Sequence, residues 1–177
     1  MTVLDVARRL PGIAELREHC RALAMLEAVI SPDWESRYYS FNSAWAPGQQ
    51  MASMRDGSGN GWSIVFSAAG AYVRGFDHES PMIPYRRDND GPWPGVLDTV
   101  PEAFREFVAE PAFCDEQGMP VVTACLWRAI DDDCWQTGEI DFPERRVDPD
   151  GADSLFSSSW RTGRPMPTCA SLRTTMR

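Results

Sequence analysis

The sequence contains no lysine, because all 17 of its basic residues are arginine. Without a lysine side chain the protein cannot form a Schiff base of its own and cannot anchor pyridoxal phosphate. It also lacks the lysine with which a P-loop contacts phosphate groups. We therefore expect none of these enzyme classes, and we predict no cofactor.

Histidine is nearly as scarce, since only His19 and His78 are present, and the five cysteines show no C-x-x-C spacing. Two histidines exclude a His-rich zinc site, and neither belongs to an H-E-x-x-H motif. There is no G-x-S-x-G nucleophile motif either. We predict no metal site, and we expect reduced thiols of the kind found in a bacterial cytoplasm.

Long apolar segments are also missing. No run approaches the roughly 20 residues that a transmembrane helix needs. Residues 1–5 do not begin a signal peptide, because no basic segment precedes an apolar one. The sequence therefore predicts no membrane association and a cytoplasmic location.

The charge balance is acidic, with 26 Asp and Glu against 17 Arg and a formal net charge of −9. Binding to nucleic acid or to anionic lipid is disfavoured, because both need a basic surface. An acidic chain is compatible with a basic protein partner. We thus predict no nucleic-acid partner and leave a protein partner open.

The order of the patterns predicts an α+β domain. Apolar residues at steps of three and four predict a helix over residues 12–30, with Ile13, Leu16, Cys20, Leu23, Leu26 and Ile30 facing the core. Alternating segments then predict an antiparallel meander of five or six strands. Its strands are expected at residues 37–41, 50–55, 62–66, 71–76, 121–130 and 134–140. A Pro-rich loop at residues 77–94 and a second short helix at residues 99–110 interrupt the meander.

The composition changes near residue 154. From there to residue 177 the chain has four Arg but no Asp or Glu, and no periodicity remains. We expect a single domain over residues 1–153 and an irregular tail over residues 154–177. The tail is either naturally disordered or a frameshifted reading of a gene whose product continued the fold.

Two Asp- or Gly-rich segments are predicted to be turns. Residues 56–61 (DGSGNG) lie between two strands and lack a following helix, so a hairpin turn is favoured over a phosphate cradle. Residues 148–153 (DPDGAD) resemble a calcium loop only superficially. Their glycine is at the fourth position and Ser159 is at the twelfth, where an EF-hand needs glycine at the sixth and glutamate at the twelfth.

Several segments carry a resemblance to a family of uncharacterised bacterial proteins. These are residues 37–45 (RYYSFNSAW), 51–59 (MASMRDGSG), 75–80 (GFDHES), Val100 with Pro101, and 110–113 (EPAF). The resemblance covers roughly residues 20–153. It implies a continuation as a folded helix where this chain has its Ser- and Arg-rich tail. No activity is attached to the family, so the resemblance transfers no functional residue.

The best catalytic candidate is the segment Asp77, His78 and Glu79, which follows a predicted strand. Strand ends often carry sites, and His78 could act as acid or base with either carboxylate. The alternative is a loop histidine bonded to the local backbone. Under this hypothesis the protein is a small enzyme.

The aromatic residues support a different hypothesis. Exposed Trp and Tyr beside Arg have the composition of a protein-binding surface. The candidate residues for such a surface are Tyr39, Trp45, Arg55, Trp62 and Trp93. Core packing is the competing explanation for any one of them. We favour a cytoplasmic protein-binding module, with an immunity or inhibitor protein as one form of it, over the small enzyme.

Overall fold

The computed structural model describes residues 1–86, 91–144 and 147–157. The helices are α1 Val3–Ala7, α2 Ile13–Ile30, α3 Arg105–Val108 and α4 Ala152–Ser157. The strands are β1 Tyr39–Ala46, β2 Gln49–Arg55, β3 Gly61–Ser67, β4 Gly70–Phe76, β5 Ala124–Ala129 and β6 Gln136–Thr137. The strands form one antiparallel sheet in the order β1-β2-β3-β4-β5-β6, which confirms the predicted α+β meander.

The turn between β2 and β3 has the predicted hairpin form. Gly57 and Gly59 have φ values of 77° and 98°, a region that glycine enters without steric cost. The Asp56 carboxylate accepts hydrogen bonds from the backbone N–H groups of Ser58 and Asn60, at 2.8 and 3.1 Å. This local bonding satisfies the backbone of the turn without any bound phosphate.

The sheet is covered on both faces. Alternate strand residues point in opposite directions, so each face contributes its own side chains to a core. One face packs against α1, α2 and α4, and its buried strand residues include Trp62, Ile64, Val73 and Leu126. The other face packs against the long segment between β4 and β5. Its buried residues are Val65, Tyr72, Met82, Val96, Val100, Phe104, Phe107, Phe113, Val122, Cys125 and Trp127.

Helix α2 spans almost the predicted residues, but two of its predicted core positions are wrong. Leu26 is 57% exposed and Ile30 is 68% exposed, whereas Leu16 and Cys20 are buried. The helix packs mainly on β1, which is the edge strand of the sheet. In its C-terminal half, the Glu27 carboxylate accepts a hydrogen bond from the backbone N–H of Tyr38 at 3.2 Å. The apolar residues of this half therefore turn outward.

The folded domain continues beyond the predicted boundary at Asp153. Residues 154–157 belong to α4, in which Leu155 and Phe156 are both 2% exposed. The Phe156 ring stacks on Trp62 with 6.4 Å between the ring centroids. The start of the predicted tail is therefore part of the core, and residues 158–177 lie outside the described residues.

Two predicted elements are shorter than expected. The second helix is a single 3₁₀ turn, Glu102–Phe104, followed by α3. The last strand has only two paired residues, and Trp135 beside it donates its indole N–H to the backbone oxygen of Pro11 at 2.8 Å. This bond joins the end of the sheet to the segment between α1 and α2.

The thiols of Cys20, Cys114 and Cys125 are free, as expected, and burial raises the pKa of Cys20 and Cys125 to about 12. Cys134 is disulfide-bonded, so the expectation of reduced thiols is wrong at that position. Among the described residues, no helix combines the length and the apolar character needed to cross a membrane.

Candidate functional site

The predicted acid–base residues do not form one hydrogen-bonded group. The His78 imidazole Nδ1 lies 2.7 Å from the side-chain oxygen of Asn60, and the His78 backbone N–H donates to the same oxygen at 3.0 Å. The Asp77 carboxylate accepts from the backbone N–H of Glu79 and from the Ser154 hydroxyl. His78 and Glu79 are exposed. The geometry therefore matches a loop histidine held by a neighbouring turn.

The DPDGAD segment next to these residues is a structural junction. The buried Asp150 carboxylate accepts a hydrogen bond from the Val3 backbone N–H at 2.7 Å, which ties α4 to α1. Thr123, before β5, donates its hydroxyl to the Asp150 backbone oxygen at 2.8 Å. Ser80 donates its hydroxyl to the Pro149 backbone oxygen at 2.7 Å. These bonds fix the chain where α4 begins, so the segment is a turn, as predicted.

Burial raises the pKa of the Asp150 carboxyl from 3.8 to about 6. The hydrogen bonds from the N–H groups of Val3 and Ala152 lower this pKa, but their effect is smaller. The folded protein therefore holds this proton more tightly than the unfolded chain. The resulting stabilisation is present below about pH 4 and is lost as the pH rises to about 6. Raising the pKa of Asp150 from 3.8 to about 6 corresponds to roughly 3 kcal/mol.

The substitution Asp150→Asn removes this titration but keeps an oxygen that can accept from Val3. Between about pH 4 and pH 7, we expect the unsubstituted protein to lose roughly 3 kcal/mol of unfolding free energy relative to the variant. Urea unfolding of both proteins across this range measures the difference. Parallel stability curves would show that Asp150 does not titrate in this way.

The structure separates the five residues that were predicted as a binding surface. Trp62 is 2% exposed and belongs to the core, which corrects that prediction. Tyr39 is half-buried against the same helix-covered face. Trp45 is half-buried and stacks on Phe113 at a centroid distance of 5.8 Å. Trp93 is half-buried and donates its indole N–H to the Asp141 backbone oxygen. Arg55 alone among the five is exposed.

Arg55 leads instead to a different exposed surface. Its guanidinium stacks on the Trp34 ring at 4.9 Å from the centroid. It also donates hydrogen bonds to the backbone oxygens of Trp34 and Glu35, at 3.3 and 2.8 Å. Trp34 is thereby held in place although it is 61% exposed.

Trp34 belongs to a group of exposed apolar side chains that follow one another along the chain. The group, which we name the α2 apolar surface, consists of Met25, Leu26, Val29, Ile30, Trp34 and Tyr38. Each of these residues is between 51% and 75% exposed. They are six of the ten large hydrophobic side chains that the described residues expose, so this exposure is concentrated in one segment.

The end of α2 is fixed rather than frayed. Arg37 donates hydrogen bonds to the backbone oxygens of Ser31 and Pro32, at 2.8 and 2.9 Å. Its guanidinium thus satisfies carbonyl groups just beyond the helix C-terminus, which have no partner within the helix. The α2 apolar surface is therefore presented in a defined arrangement before any partner binds.

Sequence reasoning missed this surface although the chain carried a signal for it. Four of the six residues from 25 to 30 are large and apolar, namely Met25, Leu26, Val29 and Ile30. At 100° per residue they cover an arc of about 140° on one side of the helix, which is centred away from Leu16 and Cys20. One sheet cannot cover both sides, so one of them had to face solvent or a partner.

A groove of about 820 Å³ lies beside the turn between β1 and β2. Its lining includes Arg17, Trp45, Gln50 and Phe66 but no carboxylate, imidazole or thiol. It therefore lacks the groups that general acid–base catalysis uses. Among the described residues, no three His, Cys, Asp or Glu side chains are grouped so that they could hold a metal ion.

Comparison with known proteins adds no relative. No family model matches the chain, and neither a curated protein nor a solved structure matches it. The resemblance drawn from the sequence stays a prediction, and the surface itself is the basis on which a function can be proposed.

Proposed function

We propose that this protein is a protein-binding module and that the α2 apolar surface is where it contacts its partner. The observation that carries the proposal is the concentration of exposed apolar side chains on α2 and the segment after it. Soluble monomers rarely expose contiguous apolar patches larger than a few hundred Å², and larger ones mark interaction sites.

The composition of the surface supports protein binding. Trp, Tyr and Arg are the residues most often found to carry the energy of protein–protein interfaces. Trp34 and Tyr38 supply the aromatic rings, and Arg55 already stacks on Trp34. Since Arg55 and Arg37 order this segment in the free protein, binding needs less ordering of side chains.

The gain from covering the surface is comparable to the cost of association. Six side chains at these exposures offer on the order of 700 Å² of mostly apolar area, which corresponds to roughly 15 kcal/mol if fully buried. Association costs about 4–15 kcal/mol in lost freedom of motion. A partner must therefore cover most of the surface, because contact with its rim alone does not offset the cost of association.

An immunity or inhibitor protein is the form of binding module that the sequence suggested, and it is compatible with this surface. The alternative of a small enzyme using His78 gains no support from the geometry, since neither Asp77 nor Glu79 bonds to the imidazole. The binding module is therefore the function that the surface supports best.

The proposal is tested by affinity capture from the host with three baits, which are the full chain and its Ile30→Arg and Ile130→Arg variants. Ile30 and Ile130 are similarly exposed, at 68% and 61%, but only Ile30 belongs to the α2 apolar surface. We expect the full chain and Ile130→Arg to retain the same stoichiometric protein. Ile30→Arg should lose at least about 90% of it, which from near saturation requires roughly a hundredfold weaker binding. Equal capture by all three baits would refute the proposed surface.

A further inference from the structure

We infer that the partner on the α2 apolar surface is a second copy of this chain, an inference that rests on the proposed protein-binding function of that surface. The dimer would pair α2 of one protomer with α2 of its partner around a two-fold axis. In such an interface the same residues contribute from both protomers. The area, the residue spacing and the local charge of the surface support this occupant.

The area fits a dimer of standard size. Met25, Leu26, Val29, Ile30, Trp34 and Tyr38 together expose on the order of 700 Å², given exposures of 51–75%. A stable protein–protein interface buries about 800 Å² on each partner. The apolar side chains alone thus provide most of what one side of a dimer needs, and the surrounding polar residues supply the rim.

The spacing of the aliphatic residues suits helix-to-helix packing. Met25 and Val29 are four residues apart, and so are Leu26 and Ile30. Residues at this spacing form parallel ridges on a helix, and ridges of this type interdigitate in the commonest class of helix packing. Two copies of α2 carry identical ridges, so the contact can be made by symmetry without a second type of surface.

The local charge also favours a second copy over a strongly basic partner. Although the chain carries a net charge of −9, the segment around the surface contains Glu27, Asp33 and Glu35 together with Arg37 and Arg55. The Glu27 carboxylate is already bonded to the Tyr38 backbone N–H. Acids and arginines are therefore close to balance here, and two copies can approach without strong local repulsion.

Sedimentation equilibrium of the purified full chain tests this inference over a concentration range of about 1–100 µM. We expect a mass that rises to twice that of the chain. Val29→Arg should raise the dissociation constant at least tenfold, or about 1.4 kcal/mol, because each protomer then brings a charge into the apolar interface. An arginine in the last turn also suits the helix dipole, so the variant should fold.

Val147→Arg is the matched control, because Val147 is 87% exposed and lies outside the α2 apolar surface. It should dimerise like the unsubstituted chain, and circular dichroism should show that both variants are folded. A full chain that stays monomeric throughout the range, or a Val29→Arg variant that dimerises normally, would overturn the inference. If the chain is monomeric but Ile30→Arg still loses a captured protein, the surface binds a different partner. If that loss is absent too, the proposed function also fails.

Discussion

Replacing Phe156 with alanine is expected to lower the free energy of unfolding by about 3–5 kcal/mol, the cost of removing a buried phenylalanine ring. Phe156 is 2% exposed and stacks on Trp62 at the centre of the helix-covered face. A Cβ atom at Gly75 in β4 would lie 3.3 Å from the same ring. Gly75 has no side chain with which to fill the space that the ring leaves. Urea unfolding monitored by tryptophan fluorescence measures the loss.

Ser154→Ala is the control within the same helix. It removes a hydroxyl that bonds to the Asp77 carboxylate at 3.2 Å on an exposed part of α4, and we expect a loss of about 0.5–1.5 kcal/mol. A loss below about 1 kcal/mol for Phe156→Ala would contradict the assignment of α4 to the core. The loss measured for Phe156→Ala also tests where the folded domain ends, because a domain that ended at Asp153 would leave both Leu155 and Phe156 out of the core.

Gly151→Ala is expected to be the second large effect, with a loss of about 2–5 kcal/mol. Gly151 has a φ of 71°, where a residue with a Cβ atom pays about 1–2 kcal/mol. In addition, the new Cβ would collide with the Asp77 side chain, and overpacking of this kind costs about 1–3 kcal/mol. The collision falls at the junction that connects β4 to the start of α4.

Gly57→Ala separates the backbone cost of a positive φ from the cost of the collision with Asp77. Gly57 has a similar φ of 77°, but a Cβ there would meet no atom within 4 Å. We expect this variant to lose only the backbone cost of about 1–2 kcal/mol. Thermal or urea unfolding of both variants gives the comparison. Equal losses would mean that Asp77 moves aside easily and that the junction is less tightly packed than the structure indicates.

The sheet could be predicted from the sequence because its signals are local. Alternating residues mark β2, β3 and β4, and the glycine-rich residues 56–61 permit only a turn between two of these strands. Each strand in a meander pairs with its neighbour in sequence, so correct strands lead directly to the correct order. The length of β6 was overestimated, since only Gln136 and Thr137 pair with β5.

Alternation alone could not say which face of a strand is covered. Tyr38 and Tyr39 are adjacent and chemically alike, yet Tyr38 is 51% exposed and Tyr39 packs against the core. Trp62 was assigned to a binding surface, but it faces α4 and lies in the core. The choice depends on where α2 and α4 pack, which is information from distant parts of the chain.

Helix α4 was not predicted, because the Ser- and Arg-rich composition of residues 154–177 indicated an irregular tail and the helix itself is short. Leu155 and Phe156 are followed directly by three serines, and a helix of six residues has little periodicity to detect. The Asp148 carboxylate accepts hydrogen bonds from the backbone N–H groups of Asp153 and Ser154, which stabilise the helix start. That signal was present in DPDGAD but fitted a turn equally well.

If a protein partner covers the α2 apolar surface, the oxidation rate of Met25 shows it most directly. Met25 is 70% exposed in the free chain, and exposed methionine is readily converted to the sulfoxide. The measurement compares oxidation of the full chain and of Ile30→Arg in host extract, with the half-buried Met119 as internal reference. We predict that Met25 oxidises at least about fivefold more slowly in the full chain, because a partner covers it there and not in the variant. Equal rates in the two proteins would contradict the claim.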